Sequence, residues 1–129
     1  MRAVDTNIVV RYVMNDDAAQ AGRARRLVDG ANVFVPATVV QETEWVLRTI
    51  YRLSAGSISA ALRQFMGLPT TRLEHPERLA AALAWFEGGM DFADALHLAA
   101  ARDCDGLATL DRDFIKVAAR IGAGNVAEP

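Results

Sequence analysis

The chain has 129 residues, 52% of them hydrophobic and 23% charged, with a formal net charge of −2. This length and composition predict a single domain, residues 1–129, and the lone Cys104 excludes an intrachain disulfide. Cys104 is therefore expected as a small core residue in a cytoplasmic protein. No apolar run reaches the roughly 18 residues of a membrane helix and no secretion-type segment opens the chain, so no membrane association is expected.

Hydrophobic periodicity and capping residues predict short strands that alternate with helices. Such an order favours an α/β fold whose parallel sheet is covered on both faces and binds ligands at the C-terminal ends of its strands. In chain order we predict a strand at 2–5, a helix with Thr6 as its N-cap, a helix at 16–29, a strand at 32–35, a helix from 36 to about 52, a helix at 55–66 capped by Ser54, a break at 67–71, helices at 76–87 and 91–104, a strand at 107–109, a helix at 112–120 and an edge strand at 125–127.

Several carboxylates follow predicted strands. Asp5 comes at the end of the first strand, where it is either a helix N-cap or part of a site. Asp111 and Asp113 follow the strand at 107–109, and capping explains only one of the two.

Two further acids lie in predicted helices. On a helical wheel, Glu42 is at the edge of an apolar stripe that runs from Val39 to Ile50, whereas Glu44 is predicted to point toward water. Asp94 lies in an almost wholly apolar helix, either as a costly buried carboxylate or as an early helix residue behind an Asp91 N-cap.

These acids together predict a metal site. Clustered carboxylates repel one another unless a cation or protons neutralise them. A set of oxygen ligands suits Mg²⁺ or Mn²⁺ and does not suit zinc. The reaction that such a site serves best is phosphoryl transfer to water, because the metal activates water and stabilises charge on the phosphate.

Four stretches now resemble a known family. They are DTN at 5–7, VVQETEWVL at 39–47, DFADALHLAAA at 91–101 and TLDRDF at 109–114. In this order and spacing they resemble the PIN-domain ribonucleases, in particular the VapC toxins of bacterial toxin–antitoxin pairs. The resemblance implies a three-layer α/β/α PIN-like fold with a short central parallel sheet and an acidic pocket at its C-terminal edge.

The same resemblance implies the roles of individual acids. Asp5, Glu42 and Asp94 match the first three acids of the family, and Asp111 matches the fourth by a Thr-x-Asp pattern, with Asp113 as the alternative. Asp5, Glu42, Asp94 and Asp111 are expected as catalytic residues and metal ligands, with Asp5 and Asp94 contacting the metal directly and Asp113 as an alternative metal ligand.

Polar and basic neighbours complete the expected site. Asn7 and Thr109 match positions that support the acids, while Arg11, Arg48 and Arg52 are candidates for contacts with substrate phosphate.

The resemblance also implies partners. They are an RNA substrate, a VapB-type antitoxin that obstructs the acidic pocket, and a second toxin chain in a homodimer within the hetero-oligomer. DNA would be reached only through the antitoxin. Apolar residues between 45 and 66 exceed what two small helices easily hide, so we expect an antitoxin interface there, formed by Trp45, Tyr51, Leu62 and Phe65.

Two other interpretations remain. A phosphatase that forms an aspartyl-phosphate would need a second acid two residues after Asp5, where this chain has Asn7, and a suitably placed lysine, whereas Lys116 is the only one. A non-catalytic PIN-fold binding module would not need all four acids. It would gain no thermal stability from Mg²⁺ or Mn²⁺.

Overall fold

Three short parallel strands form the sheet of the N-terminal half. The structure, a computed structural model, describes all 129 residues and divides into two units, Met1–His75 and Pro76–Pro129. In the first unit β2 pairs in parallel with both β1 and β3. The elements of this unit are β1 (Arg2–Ala3), α1 (Thr6–Met14), α2 (Ala18–Gly30), β2 (Val33–Val35), α3 (Ala37–Thr49), α4 (Ala55–Met66) and β3 (Thr71–Leu73).

The central strand β2 fixes the register of this sheet. Val33 is opposite Arg2 on one side and Thr71 on the other. Val33 and Val35 point to the same face of the sheet and are fully buried, whereas Phe34 on the other face is half-buried. The C-terminal ends of β1 and β2 are followed by α1 and α3, the helices that carry the first candidate site residues.

Helix α1 is the centre of the helical packing in the first unit. It packs against α2, α3 and α4. Val9, Leu47 and Phe65 are each at most 2% exposed, and the ring of Tyr12 meets that of Phe65 edge-on at 5.5 Å between centroids. At roughly 1.5–3 kcal/mol per buried large apolar side chain, this packing holds α1 firmly on the sheet.

The second unit contains two packed helices, a third helix and a short strand pair. Helix α5 packs against α6, where Phe86 and Phe92 meet edge-on at 5.5 Å. Strands β4 and β5 pair in parallel, and β5 also packs against α7. The elements of this unit are α5 (Pro76–Glu87), α6 (Phe92–Ala100), β4 (Leu107–Ala108), α7 (Arg112–Ile121) and β5 (Val126–Ala127).

The predicted α/β class, the parallel sheet and the seven helices are confirmed, with local corrections. Strand β3 was not predicted, and its first residue, Thr71, was assigned to the break at 67–71; β1 ends two residues earlier than expected. Asp5, not Thr6, caps α1. Helix α3 ends at Thr49 and α6 ends at Ala100.

The early end of α6 changes the environment of Cys104. The chain leaves the helix four residues before this cysteine, so Cys104 is exposed, and its predicted core position was wrong. No helix in the structure has the length and apolar character needed to cross a membrane.

Candidate functional site

Asp5 has a structural role and also lines a cavity. It directly precedes α1, and its carboxylate accepts a hydrogen bond from the backbone N–H of Thr6 at 2.7 Å. The side chain also lines a cavity of about 370 Å³ together with Glu42 of α3. The two sequence interpretations of Asp5, as an N-cap and as a site residue, are therefore compatible.

Thr6 connects the two acids of this cavity. Its backbone N–H donates to Asp5, and its hydroxyl donates to Oε1 of Glu42. Thr6 is only 7% exposed, so its position is fixed by the packing of α1. Thr6 was predicted only as an N-cap, although a hydroxyl residue directly after a strand-end acid was a usable signal.

Glu44 corrects the assignment of the α3 face. It is 3% exposed, and it accepts a hydrogen bond from Nε of Arg48 at 2.8 Å. The buried face of α3 contains Val40 and Leu47 rather than Val46 and Ile50, which turns Glu44 inward and leaves Glu42 on the exposed side facing the cavity. The prediction that Glu44 points to water was wrong.

The three candidate arginines have different surroundings. Arg11 lines the Asp5–Glu42 cavity, and its guanidinium donates to Gln20, Asp16 and Tyr51. Arg48 is engaged with Glu44. Arg52 has a left-handed backbone (φ 55°) after the end of α3 and does not line this cavity. Only Arg11 is placed by its contacts at the rim.

Four aspartates line a second cavity, of about 720 Å³, in the second unit. Asp91 caps α6 by accepting from the N–H of Asp94 at 3.0 Å. Gly89, with φ +107°, allows the turn that leads into this cap. The acidic side chains of the cavity are Asp91, Asp94, Asp111 and Asp113, and its basic side chains are Lys116 and Arg120.

Like charges alter the ionisation of Asp94. Partial burial raises the pKa of its carboxyl, and the nearby carboxylates of Asp91 and Asp111 raise that pKa further, while His97 opposes them. A proton or a cation would relieve this repulsion. Of the two aspartates that follow β4, Asp111 and not Asp113 is among the causes of this raised pKa.

Asp111 is held by contacts from three directions. Its carboxylate caps α7 by accepting from the N–H groups of Asp113 and Phe114, at 2.9 and 3.2 Å. Its own N–H donates to the hydroxyl of Thr109 at 3.1 Å, and Thr109 is fixed in turn by β5 through Ala127. Thr109 thus makes a contact that suits the supporting role predicted for it.

The donor chemistry of both cavities fits a hard divalent cation. The acidic side chains offer carboxylate oxygens, with no Cys or His lining either cavity. Within neither unit do three or more acidic, His or Cys side chains converge closely enough to hold a metal by themselves. Asp5 and Glu42 belong to the first unit, and Asp94 and Asp111 to the second.

The predicted apolar interface is only partly exposed. Trp45 is 51% exposed, and Tyr51 is half-buried. Leu62 and Phe65 are each 1% exposed and belong to the core of the first unit, so their assignment to an interface was wrong. The apolar face of α4 is buried by packing against α1 and α3.

The chain is similar to known proteins in two comparisons. The family model described as PIN domain matches residues 2–120. Among solved structures, a toxin of Mycobacterium tuberculosis, VapC20, described as cleaving the sarcin–ricin loop, is 24% identical. That match covers 90% of this chain and 94% of the other, with a TM-score of 0.45. No curated protein matches the chain.

Proposed function

Because this chain belongs to the PIN-domain family, we propose that it is a Mg²⁺-dependent endoribonuclease, the toxin of a type II toxin–antitoxin pair. The observation that carries the proposal is the pairing of predicted acids. Asp5 and Glu42 line one cavity, and Asp94 and Asp111 line another, each at the start of a helix or on its exposed side. The motifs that contain these acids are those that resemble VapC toxins.

The proposal assigns cation binding to Asp5 and Asp94. Glu42 and Asp111 complete the ligand set, directly or through water, with Asp113 as the alternative to Asp111. The carboxylate oxygens of the acidic side chains in both cavities, and the raised pKa of Asp94, support this assignment. When bound, Mg²⁺, or Mn²⁺ in its place, would lower the pKa of water and offset charge on an attacked phosphate.

The chain's own residues orient the acids. Thr6 holds Asp5 through its N–H and Glu42 through its hydroxyl, so both carboxylates keep fixed directions. Thr109 and the first turn of α7 do the same for Asp111. Arg11, fixed by its contacts with Asp16 and its neighbours, offers a guanidinium for a phosphate at the cavity rim. Such fixed groups lower the cost of arranging charge around a reacting phosphate.

Cleavage and cation binding are tested together. We expect the purified chain to cut bacterial RNA in millimolar Mg²⁺, to be inactive in EDTA, and to gain thermal stability from Mg²⁺ or Mn²⁺. Asp5→Asn should abolish both effects, because it removes a charge while leaving the oxygen that caps α1. Asp105→Asn, an exposed acid outside both cavities, is the charge-matched control.

Two results would contradict the proposal. A folded chain that neither cuts RNA nor is stabilised by the metals would favour a non-catalytic binding module. Undiminished cleavage by folded Asp5→Asn would remove Asp5 from the site.

The toxin role includes a specific inhibitor. We propose a VapB-type antitoxin partner and a homodimer of this chain within the hetero-oligomer. Expression of the chain alone should stop bacterial growth, and co-expression of a small protein encoded directly upstream should restore it. Growth arrest that persists with Asp5→Asn, or that no neighbouring gene relieves, would contradict this part of the proposal.

A further inference from the structure

A basic cleft lies beside the Asp5–Glu42 cavity in the first unit. It has a volume of about 580 Å³ and is lined by residues of β1, α1 and α2. No acidic side chain lines it. Its four arginines are Arg2, Arg11, Arg23 and Arg26.

This concentration of positive charge is unusual for the chain, whose net charge is −2. Arg2, Arg23 and Arg26 form no ion pair and no side-chain hydrogen bond. By contrast, Arg25 of the same helix donates to the carbonyl of Tyr12 and lies over its ring at 4.8 Å. Uncompensated guanidinium groups that share one cleft repel one another and attract polyanions.

The cleft adjoins the acid cavity. Asn7 and Arg11 line both of them. Arg11 is pinned between the two by Gln20 at 2.6 Å, Tyr51 at 3.1 Å and Asp16 at 3.2 Å. A linear polymer bound in the acid cavity would therefore reach the cleft by passing Arg11.

We propose that this arginine cleft binds the backbone phosphates of a single RNA strand next to the phosphate that is cleaved. The inference rests on the proposed function and adds the surface that holds the substrate. Arg23 and Arg26 are three residues apart, so they are neighbours on one face of α2 and can each contact a phosphate. Such contacts fix the position of the strand and carry no sequence information themselves.

The lining favours RNA over an acidic protein segment. A protein interface needs a desolvated apolar centre. The only large apolar side chains in the cleft are Ile8 and Leu27, and both are already half-buried. Planar guanidinium groups are well suited to bidentate contact with phosphate oxygens.

Binding can be measured without cleavage. A fluorescein-labelled oligouridine is titrated with the full chain in EDTA at several salt concentrations, and its anisotropy is recorded. The test variant is R23Q/R26Q, and R25Q is the control that removes one positive charge from the same helix outside the cleft. Arg23 and Arg26 are exposed, and thermal melts check that each variant is folded.

We expect R23Q/R26Q to bind about 25-fold more weakly at about 0.1 M salt, because each lost phosphate contact lowers the slope of log K against log salt by about 0.7. The slope itself should fall by about 1.4. R25Q should change both quantities by much less. Equal losses in the two variants, or no loss in R23Q/R26Q, would overturn the proposal.

Two further readouts separate this proposal from others. If the double variant loses binding of polyglutamate but keeps its affinity for oligouridine, the cleft serves an acidic protein and the RNA proposal fails. If the wild type binds oligouridine through the cleft but cuts no RNA in Mg²⁺, the cleft stands and the proposed nuclease function fails. If cleavage is present with unchanged KM in R23Q/R26Q, the nuclease stands and the cleft fails.

Discussion

Glu42 and Glu44 show how two neighbouring acids acquire different roles. Glu42 faces a cavity and accepts from Thr6, whereas the Glu44 side chain is 4% exposed and paired with Arg48, which is itself 47% exposed. A buried carboxylate that pairs with a charged partner has a structural role, whereas a carboxylate exposed in a cavity can bind a ligand. Mutations of Glu42 and of Glu44 should therefore have different effects on stability and on RNA cleavage.

We expect Glu44→Gln to lower the free energy of unfolding by about 1–2 kcal/mol, because the Arg48 guanidinium loses the negative charge of its buried partner even though Gln can still accept the hydrogen bond. Cleavage by the folded fraction should be unchanged. Glu42→Gln should do the opposite: Gln can still accept from Thr6, so stability stays within about 0.5 kcal/mol, while Mg²⁺-dependent cleavage falls. Urea melts and initial rates on the same samples measure both. If Glu44→Gln is silent in stability, the pairing with Arg48 is energetically unimportant.

The folding stability is expected to depend on pH through Asp16. Its carboxylate accepts from the Tyr51 hydroxyl at 2.8 Å, which is the main cause of the lowered pKa of Asp16, and Arg11 adds to the effect. A pKa that is lower in the folded state stabilises the fold above the unfolded value of about 3.9, and this stabilisation is lost as the pH falls through the folded pKa.

Asp16→Asn should remove that part of the pH dependence. The difference in stability between wild type and variant should be constant near neutral pH and should shrink as the pH falls below about 4. Chemical denaturation across this range measures the difference. Parallel profiles for the two proteins at every pH would show that Asp16 does not contribute through its charge.

At the level of the elements, local signals predicted the helices better than the strands. Ser54 before α4 and Gly30 at the end of α2 were readable from the sequence because capping depends on nearby residues. Strand β3 was missed because its three residues are strand only through pairing with β2, an interaction across the chain.

The face of α3 was misread for a related reason. Apolar residues surround much of this helix, so the stripe from Val39 to Ile50 and the true face through Val40 and Leu47 were both possible from periodicity. The i,i+4 spacing of Glu44 and Arg48 was a signal for the pair, although spacing alone does not reveal its burial. The placement of Asp5 and Glu42 in one cavity was anticipated by the motif order, not by periodicity.

At the start of α7, the capping role of Asp111 can be separated from the role of its charge. Asp111 accepts from two N–H groups of this helix, so Asp111→Ala should cost about 1 kcal/mol of stability as a lost N-cap. Asp111→Asn keeps a capping oxygen and should stay within about 0.5 kcal/mol of wild type while losing Mg²⁺-dependent cleavage.

Asp113→Asn is the matched control, since Asp113 lines the same cavity but does not cap α7. Thermal melts and cleavage assays on the three variants give the comparison. Full activity in Asp111→Asn together with loss in Asp113→Asn would exchange the roles of the two aspartates.

At the scale of the whole molecule, average composition concealed how charge is distributed. A net charge of −2 gave no reason to expect nucleic-acid binding, yet the fold gathers four arginines in one cleft and four aspartates in one cavity. Tertiary packing decides which helical faces meet, so these local concentrations of charge are visible only in the folded structure. Composition indicated that the chain can bury a core and could not predict these surfaces.

Exposed apolar side chains on α3 and directly after it suggest where an inhibitor docks. Trp45 is 51% exposed and Ile50 is 65% exposed, although the rest of the apolar surface expected between 45 and 66 is largely packed. Large exposed aromatic residues are frequent anchors at interfaces. If the proposed antitoxin exists, Trp45 is its expected anchor on the first unit.

Trp45→Ala should weaken antitoxin binding by at least about 1–2 kcal/mol, as loss of an aromatic anchor does. The free protein should keep its RNA cleavage, because Trp45 does not line the Asp5–Glu42 cavity, and its melting temperature should change little because the indole is already half in water. Leu110→Ala is the control for binding, since Leu110 is 80% exposed but belongs to the second unit. Calorimetric titration of the two variants with the antitoxin compares them directly. Equal affinity of folded Trp45→Ala and wild type would place the antitoxin elsewhere and leave Trp45 as an exposed residue of α3 without a binding role.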